Sequence, residues 1–196
     1  LLGSDFVQLR GVFRRFAGVS VKTPSLARRL LVTFGGSDPT DQSMKALTAM
    51  QNSDLAISLV MGPGNARHRS IAQHAVTWPH IDIHHAPSDM ASHMASADMA
   101  LSAAGSTCWE LAFMGVPAVI VVTAENQRVI AERLASEGMV QNLGWHEDVC
   151  ESAISEACAA LRKNSERRHE MSERGRKLID GRGTERAADI LDEAIR

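Results

Sequence analysis

One stretch, Ala97 to Gln127, constrains the fold more than any other: ADMALSAAGSTCWELAFMGVPAVIVVTAENQ. Asp98 to Ser102 reads as a strand, Ala103 to Ser106 as a tight glycine turn, and Thr107 to Met114 as a short helix stopped by Gly115. Pro117 to Val122 is a second strand. Neighbouring strands joined through a helix run parallel, and the crossover is right-handed almost without exception. Ligands of such sheets bind beyond the carboxyl ends of the strands, and that edge here carries Gly105, Ser106 and Thr107 at a helix amino terminus. Free backbone N–H groups and the positive end of the macrodipole favour an anion such as phosphate there. The same spacing supports a second reading. Thr107 and Glu110 stand three apart, so Thr107 could cap the helix while Glu110 reaches back in a capping box.

The remaining strands read as short apolar runs. Arg29 to Phe34 is continuous and apolar after its first residue, as expected for a strand buried on both faces. It ends in GGSDP, where Gly35 and Gly36 permit positive φ or close backbone approach. Ser37 or Asp38 can cap, and Pro39 suits the first turn of a helix from about Thr40 to Asn52. A phosphate could sit at this turn too, although a Gly-Gly turn after a strand is common in any α/β protein. Further strands fall at Leu55 to Met61, Ile81 to His84 and Met139 to Asn142, with helices at Ala66 to Ala75, after a Ser88 cap, and at Asn126 to Gly138. The GPGN loop (Gly62 to Asn65) stops the second strand. Met90 and Met94, one turn apart, read as core. The expectation is an α/β, doubly wound parallel sheet of about six strands.

Two segments flank this sheet. Phe6, Leu9, Phe13 and Phe16 fall near helical spacing within residues 1–28, which read as a connecting segment that packs against a neighbour. The chain starts at Leu1 rather than Met, which suggests a piece of something longer. The last fifty residues or so carry helices near Glu147 to Arg162, Ser165 to Leu178 and Thr184 to Ile195, broken at Gly181 and Gly183. Their basic residues, among them Arg167, Arg168, Arg174, Arg176 and Lys177, read as solvated faces.

Composition narrows the function. The chain has 196 residues, 44% of them hydrophobic, enough for one sizeable core. Lys plus Arg (21) against Asp plus Glu (23) gives a formal charge of -2, so no basic field points to nucleic acid. No apolar run approaches the roughly 20 residues that span a bilayer. Cys108, Cys150 and Cys158 are scattered without a CxxC, which fits reduced thiols in a cytoplasm. His80, Asp82 and His84 share a strand face, but no Cys or further carboxylate completes a metal ligand set, so they read as ordinary strand-end residues.

The sequence itself says more than its patterns. LLVTFGGSDP (residues 30–39), the GPGN loop and SDMASHMASADMALSAAGSTCWELAFMGVPAVIVVTAENQ (residues 88–127) resemble the carboxy-terminal half of a GT-B nucleotide-sugar enzyme. They are most similar to the UDP-sugar hydrolase family of the pseudaminic acid pathway, which removes UDP from UDP-2,4-diacetamido-2,4,6-trideoxy-β-L-altrose. The opening LLGSDFVQLR resembles the segment joining that family's two domains, and the likeness runs to about residue 145. A fainter likeness links the chain to the MurG-type N-acetylglucosaminyltransferases. Ala103 and Ala104 depart from the pattern, standing where at least one more glycine is expected.

The resemblance implies a nucleotide-sugar-binding domain at 29–196 after a linker at 1–28. Gly35, Gly36 and Ser37 would approach the diphosphate by backbone N–H, with Gly105, Ser106 and Thr107 holding it from the second turn. Glu110 would accept hydrogen bonds from the ribose hydroxyls, a role the resemblance favours over the capping box. His85, Ala86 and Pro87 would meet the uracil edge through backbone with Met90 nearby, and Asn126 and Gln127 would face the sugar. The family's catalytic histidine belongs to its amino-terminal domain, so none of the eight histidines here fills that place. No metal or other cofactor is implied. Three functions follow: UDP-sugar hydrolase, GT-B glycosyltransferase, or a non-catalytic nucleotide-binding module.

Overall fold

Continuous apolar runs make strands that bury both faces, and in this chain they align into one parallel sheet. The computed structural model describes residues 3–19 and 21–195, so Leu1, on which the expectation of a longer chain rests, lies outside the described residues. The strands are β1 (Arg29–Thr33), β2 (Ala56–Met61), β3 (Ile81–His85), β4 (Met99–Ala103), β5 (Ala118–Val122) and β6 (Val140–Trp145). Their order is β3-β2-β1-β4-β5-β6, every pairing parallel. The connections run outward in both directions from β1 and β4, so the strand order reverses between those two. That reversal opens a crevice at their carboxyl ends.

Helices α1 (Gln42–Met50), α2 (His68–Ala75), α3 (Met90–Ala95), α4 (Thr107–Met114), α5 (Arg128–Ser136), α6 (Glu151–Lys163), α7 (Ser165–Leu178) and α8 (Gly183–Ile195) complete the described fold. Side-chain alternation along each strand feeds two cores. Leu30, Val32, Leu59 and Leu101 join Leu47 of α1, Ile71 of α2 and Ile154 of α6 on one face. Leu31, Val60, Ala100 and Ile120 join Met94 of α3, Leu111 of α4 and Leu134 of α5 on the other. Asp98 locks the two halves at the amino edge, accepting the backbone N–H groups of Arg28 (2.8 Å) and Arg29 (3.0 Å) and the Arg29 guanidinium (2.7 Å). Burial opposes the charge of Asp98, but these donors prevail and hold its carboxyl below the usual range.

Several boundaries differ from the sequence reading. The helix after GGSDP starts at Gln42 rather than Thr40, leaving Pro39 in the turn before it. The α3 cap is Asp89, whose side chain accepts from Ser92 N–H, and not Ser88. The helix expected from Asn126 divides into a 3₁₀ turn, Glu125–Gln127, and α5. Strand β6 runs on to Trp145 through an irregularity against β5 near Ile120 and Val122, which the polar residues Gln141 and Asn142 had concealed.

Residues 3–19, part of the segment read as a connection, hold two 3₁₀ turns, Ser4–Phe6 and Gly11–Phe16. The first turn packs on α8 and the second on α3 and α4, forming a strap across this face of the domain. Phe13 is fully buried and meets Phe113 of α4 edge to face at 6.5 Å, and Arg186 of α8 donates to Asp5 O at 3.1 Å. The basic residues of α7 are likewise not all solvated. Arg168 is completely buried and donates to the carbonyls of Leu161, Arg162 and Pro24, joining α6 and α7 to the segment that leads into β1. Five planar donors let one guanidinium serve carbonyls on separate segments, which no apolar residue could do.

Candidate functional site

The crevice at the switch point has two adjoining compartments of about 410 and 570 Å³. The first is lined by residues including Gln8, Arg10, Thr33, Gly62, Pro63, Ala86, Pro87, Met90 and Glu110. The second is lined by Ser37, Asp38, Thr123, Asn126, Gln127 and Ile130, among others. Gly35, Gly36, Ser106, Thr107 and Trp109 border both. The two glycine turns therefore stand where the compartments meet.

The turns are not equivalent. Asp38, almost wholly buried, accepts the N–H groups of Gln42 (2.9 Å, Oδ1) and Ser43 (2.8 Å, Oδ2). The amino terminus of α1 is thus closed by the chain's own carboxylate, and an anion at this turn has only the Gly35 to Ser37 backbone to meet. Burial pushes the Asp38 carboxyl above its usual range against the pull of these hydrogen bonds. The start of α4 is open. Among the described residues, the backbone N–H groups of Gly105, Ser106 and Thr107 donate to no protein acceptor, and the ladder begins with Cys108 N to Gly105 O at 3.0 Å. Free donors and the dipole of α4 make this the stronger anion-receptive end.

The first turn is fixed from behind by the GPGN loop. Gly64 N–H donates to Gly36 O at 2.9 Å, and a Cβ on Gly62 would lie 2.4 Å from Gly36 Cα. Sequence reading treated this loop as a stop for β2 and as one of the motifs carrying the family resemblance, with no role in the site. Its structural role is to set the position of the glycine turn.

The capping box does not form. Helix α4 begins after Ser106, whose side chain makes no capping bond, so Thr107 is already inside the helix and Glu110 is past the capping position. Glu110 instead faces the first compartment, where Arg10 of the strap clamps it through Nε to Oε1 at 2.8 Å and Nη2 to Oε2 at 3.1 Å. Arg10 also lies over the Phe13 ring at 5.4 Å and, among the described residues, is the single cation lining either compartment. The sequence reading missed it. The two partners are separated by 100 positions, and no local periodicity connects them.

Other expected site residues divide. Met90 is buried yet borders the first compartment. Ala86, at φ 51°, lines it while its N–H donates to Met61 O at 2.8 Å. The His85 ring instead stacks on His68, 4.0 Å between centroids, so any contribution of His85 to the crevice comes from its backbone. Asn126 lines the second compartment. The Oε1 of Gln127 is occupied by Thr123 N–H (2.9 Å) and Oγ1 (3.1 Å), leaving its Nε2 beside the Gly105 turn. Cys108, buried in α4, has its thiol pushed up to about 12 by burial and donates to Ala103 O at 3.3 Å, so it is no nucleophile. Among the described residues, no three His, Cys, Asp or Glu side chains are grouped to hold a metal ion.

A separate histidine cluster lies under α3. His93 meets the His84 ring at 4.3 Å between centroids and its Nδ1 faces Ser58 Oγ at 3.4 Å. Burial first, then the neighbouring His84, hold the His93 pKa below its ordinary value of 6.5. The unfolded chain therefore binds more protons than the native one in the window below 6.5, and stability falls as the pH drops through it. Urea unfolding is expected to lose more stability between about pH 7 and about pH 5 in the parent than in His93→Gln. Equal losses would remove His93 as the source.

This architecture, a doubly wound parallel sheet with a crevice at its switch point, defines the Rossmann-like class of α/β domain. The chain belongs to the family described as the glycosyltransferase family 28 C-terminal domain, whose model matches residues 30–192. It is 28% identical over 97% of its length to the Spore coat polysaccharide biosynthesis protein SpsG of Bacillus subtilis (strain 168), of which it covers 57%. It is 27% identical over 85% of its length to the UDP-N-acetylglucosamine–N-acetylmuramyl-(pentapeptide) pyrophosphoryl-undecaprenol N-acetylglucosamine transferase of Acetivibrio thermocellus, covering 48% of that protein. Among solved structures, MurG of Acinetobacter baumannii superposes with a TM-score of 0.72 at 20% identity, over 90% of this chain and 55% of that one, which establishes the shared GT-B half fold. The chain spans about half the length of the curated relatives it matches.

Proposed function

We propose that this chain is the donor-binding half of a UDP-sugar enzyme, and within that class of a hydrolase releasing UDP from UDP-2,4-diacetamido-2,4,6-trideoxy-β-L-altrose for surface-polysaccharide synthesis. One observation carries the reading. The free N–H groups at the start of α4 and the Glu110 carboxylate three residues further on border one compartment, so a diphosphate and a ribose could be met in a single pose. In that pose Ala86 and Pro87 lie at the base, Glu110 at the ribose, the glycine turns at the diphosphate, and Asn126 with Gln127 Nε2 at the sugar. The GGSDP and GSTCWEL motifs support the hydrolase. The relative SpsG supports a place in polysaccharide synthesis by its name.

On this reading the base that activates water belongs to an amino-terminal domain, with residues 1–28 as the connection to it. Closure of the two domains would exclude bulk water and align the attack. Reduced thiols and a nucleotide-sugar ligand fit a cytoplasmic enzyme, and no helix among the described residues is long and apolar enough to cross a membrane. A transferase, in which an acceptor hydroxyl replaces water, is the second reading. It is favoured by the N-acetylglucosamine transferase among the relatives and by the MurG likeness.

Calorimetric titration of the chain with UDP, with CDP and ADP as controls and no metal added, tests the donor site. Saturable binding selective for UDP is the expected result; equal binding of all three would overturn the uridine assignment. Release of UDP from the UDP-sugar by the full-length protein without any acceptor separates hydrolase from transferase.

A further inference from the structure

Trp109 is an expensive residue to place where backbone amides are the expected ligand contacts. The chain has only three tryptophans, and this one occupies the first turn of α4, half-buried, with part of its surface packed on the core. The rest borders both compartments of the crevice. Successive residues on a helix diverge by about 100°. Glu110 accordingly faces the first compartment only, while Trp109 also faces the second.

A nucleotide sugar is linear: base, ribose, diphosphate, sugar. With ribose at Glu110 and diphosphate at the shared turns, the next moiety enters the second compartment. That space is amphipathic, with the amides of Asn126 and Gln127 joined by the apolar surfaces of Trp109 and Ile130. Apolar surface left open in a concave site signals a ligand with a matching apolar face, because it otherwise stays exposed to water at a cost.

We propose that Trp109 is a specificity-determining residue, whose indole packs on the C–H face and acyl methyl groups of the donor sugar. It thereby selects deoxy and acylamino sugars over fully hydroxylated ones. The inference rests on the donor-site reading above and deepens it.

The test titrates the chain with UDP, UDP-glucose and UDP-N-acetylglucosamine, in the parent and in Trp109→Ala and Trp109→Phe. In the parent, UDP-N-acetylglucosamine should bind more tightly than UDP-glucose. Trp109→Ala should lose about tenfold in affinity for UDP-N-acetylglucosamine and less than about twofold for UDP, a selective loss of the size expected for one aromatic packing contact. Trp109→Phe keeps an aromatic face and should retain most of the preference, which a mere folding defect would not allow. Indole emission in a Trp78→Phe/Trp145→Phe background should respond more to the UDP-sugar than to UDP. Equal losses for UDP and UDP-sugar, or no change in either, would overturn the role of Trp109 while leaving the donor site standing. Failure of the parent to bind UDP would instead remove the donor site, and this inference with it.

Discussion

Replacing Glu110 by Ala is expected to weaken UDP binding by about 100-fold or more while leaving the fold intact. Hydrogen bonds to a charged acceptor contribute about 1.5–3 kcal/mol each, and two ribose hydroxyls would lose theirs. Glu110→Gln, which keeps one good acceptor, should fall between the variant and the parent. Stability should change little for two reasons. The capping box is absent, and the partner Arg10 is an exposed side chain (55%), so its ion pair with Glu110 contributes at most about 1 kcal/mol. Calorimetry with UDP and urea unfolding, read together, decide the matter. A variant that loses stability and keeps its affinity would return Glu110 to a structural role. The Arg10 clamp uses one acceptor site on each Glu110 oxygen, so two ribose hydroxyls can share the carboxylate with the guanidinium or displace it.

The second large effect concerns Gly62, which lines the first compartment but for which no ligand role was expected from the sequence. An added Cβ would lie 2.4 Å from Gly36 Cα, 2.5 Å from Gly36 O and 2.6 Å from Gly35 O. All three are backbone atoms, so no side chain can rotate away and either the GPGN loop or the glycine turn must move. Gly62→Ala should lower stability by about 1–3 kcal/mol through overpacking. It should also reduce UDP affinity by about tenfold or more, the loss expected when at least one hydrogen bond to the charged diphosphate is broken. Gly64→Ala provides a graded comparison, because its Cβ would meet Gly36 O at 3.2 Å, a contact that a small shift relieves. Undiminished UDP binding by Gly62→Ala would show that the turn does not depend on the loop behind it.

The legibility of the chain followed the range of the interactions involved. Strands β1, β4 and β5 could be read because each is largely apolar on both faces, a signal carried by at least three consecutive residues: Leu30 to Val32, Met99 to Leu101 and Ala118 to Val122. The amino terminus of α4 was legible for the same reason: turn, helix and stop all lie within Gly105 to Gly115. Polar strand β6 was read too short, and Arg168 was misread as solvated because a guanidinium that donates to three carbonyls looks, in sequence, like any other charge on a helix.

What the sequence by itself determined was the set of local units: apolar strands, glycine turns, the α4 terminus with Glu110 on it, and the family to which the motifs belong. Only the tertiary structure decided which of two glycine turns keeps its helix end open, since Asp38 could be seen as a possible cap but not as the one that closes α1. It alone brought Arg10 onto Glu110, Gly62 against Gly36, and Trp109 to the boundary of both compartments. Local propensity acts over a few residues, whereas the crevice is assembled where the strand order reverses, from segments that meet only after the sheet has formed.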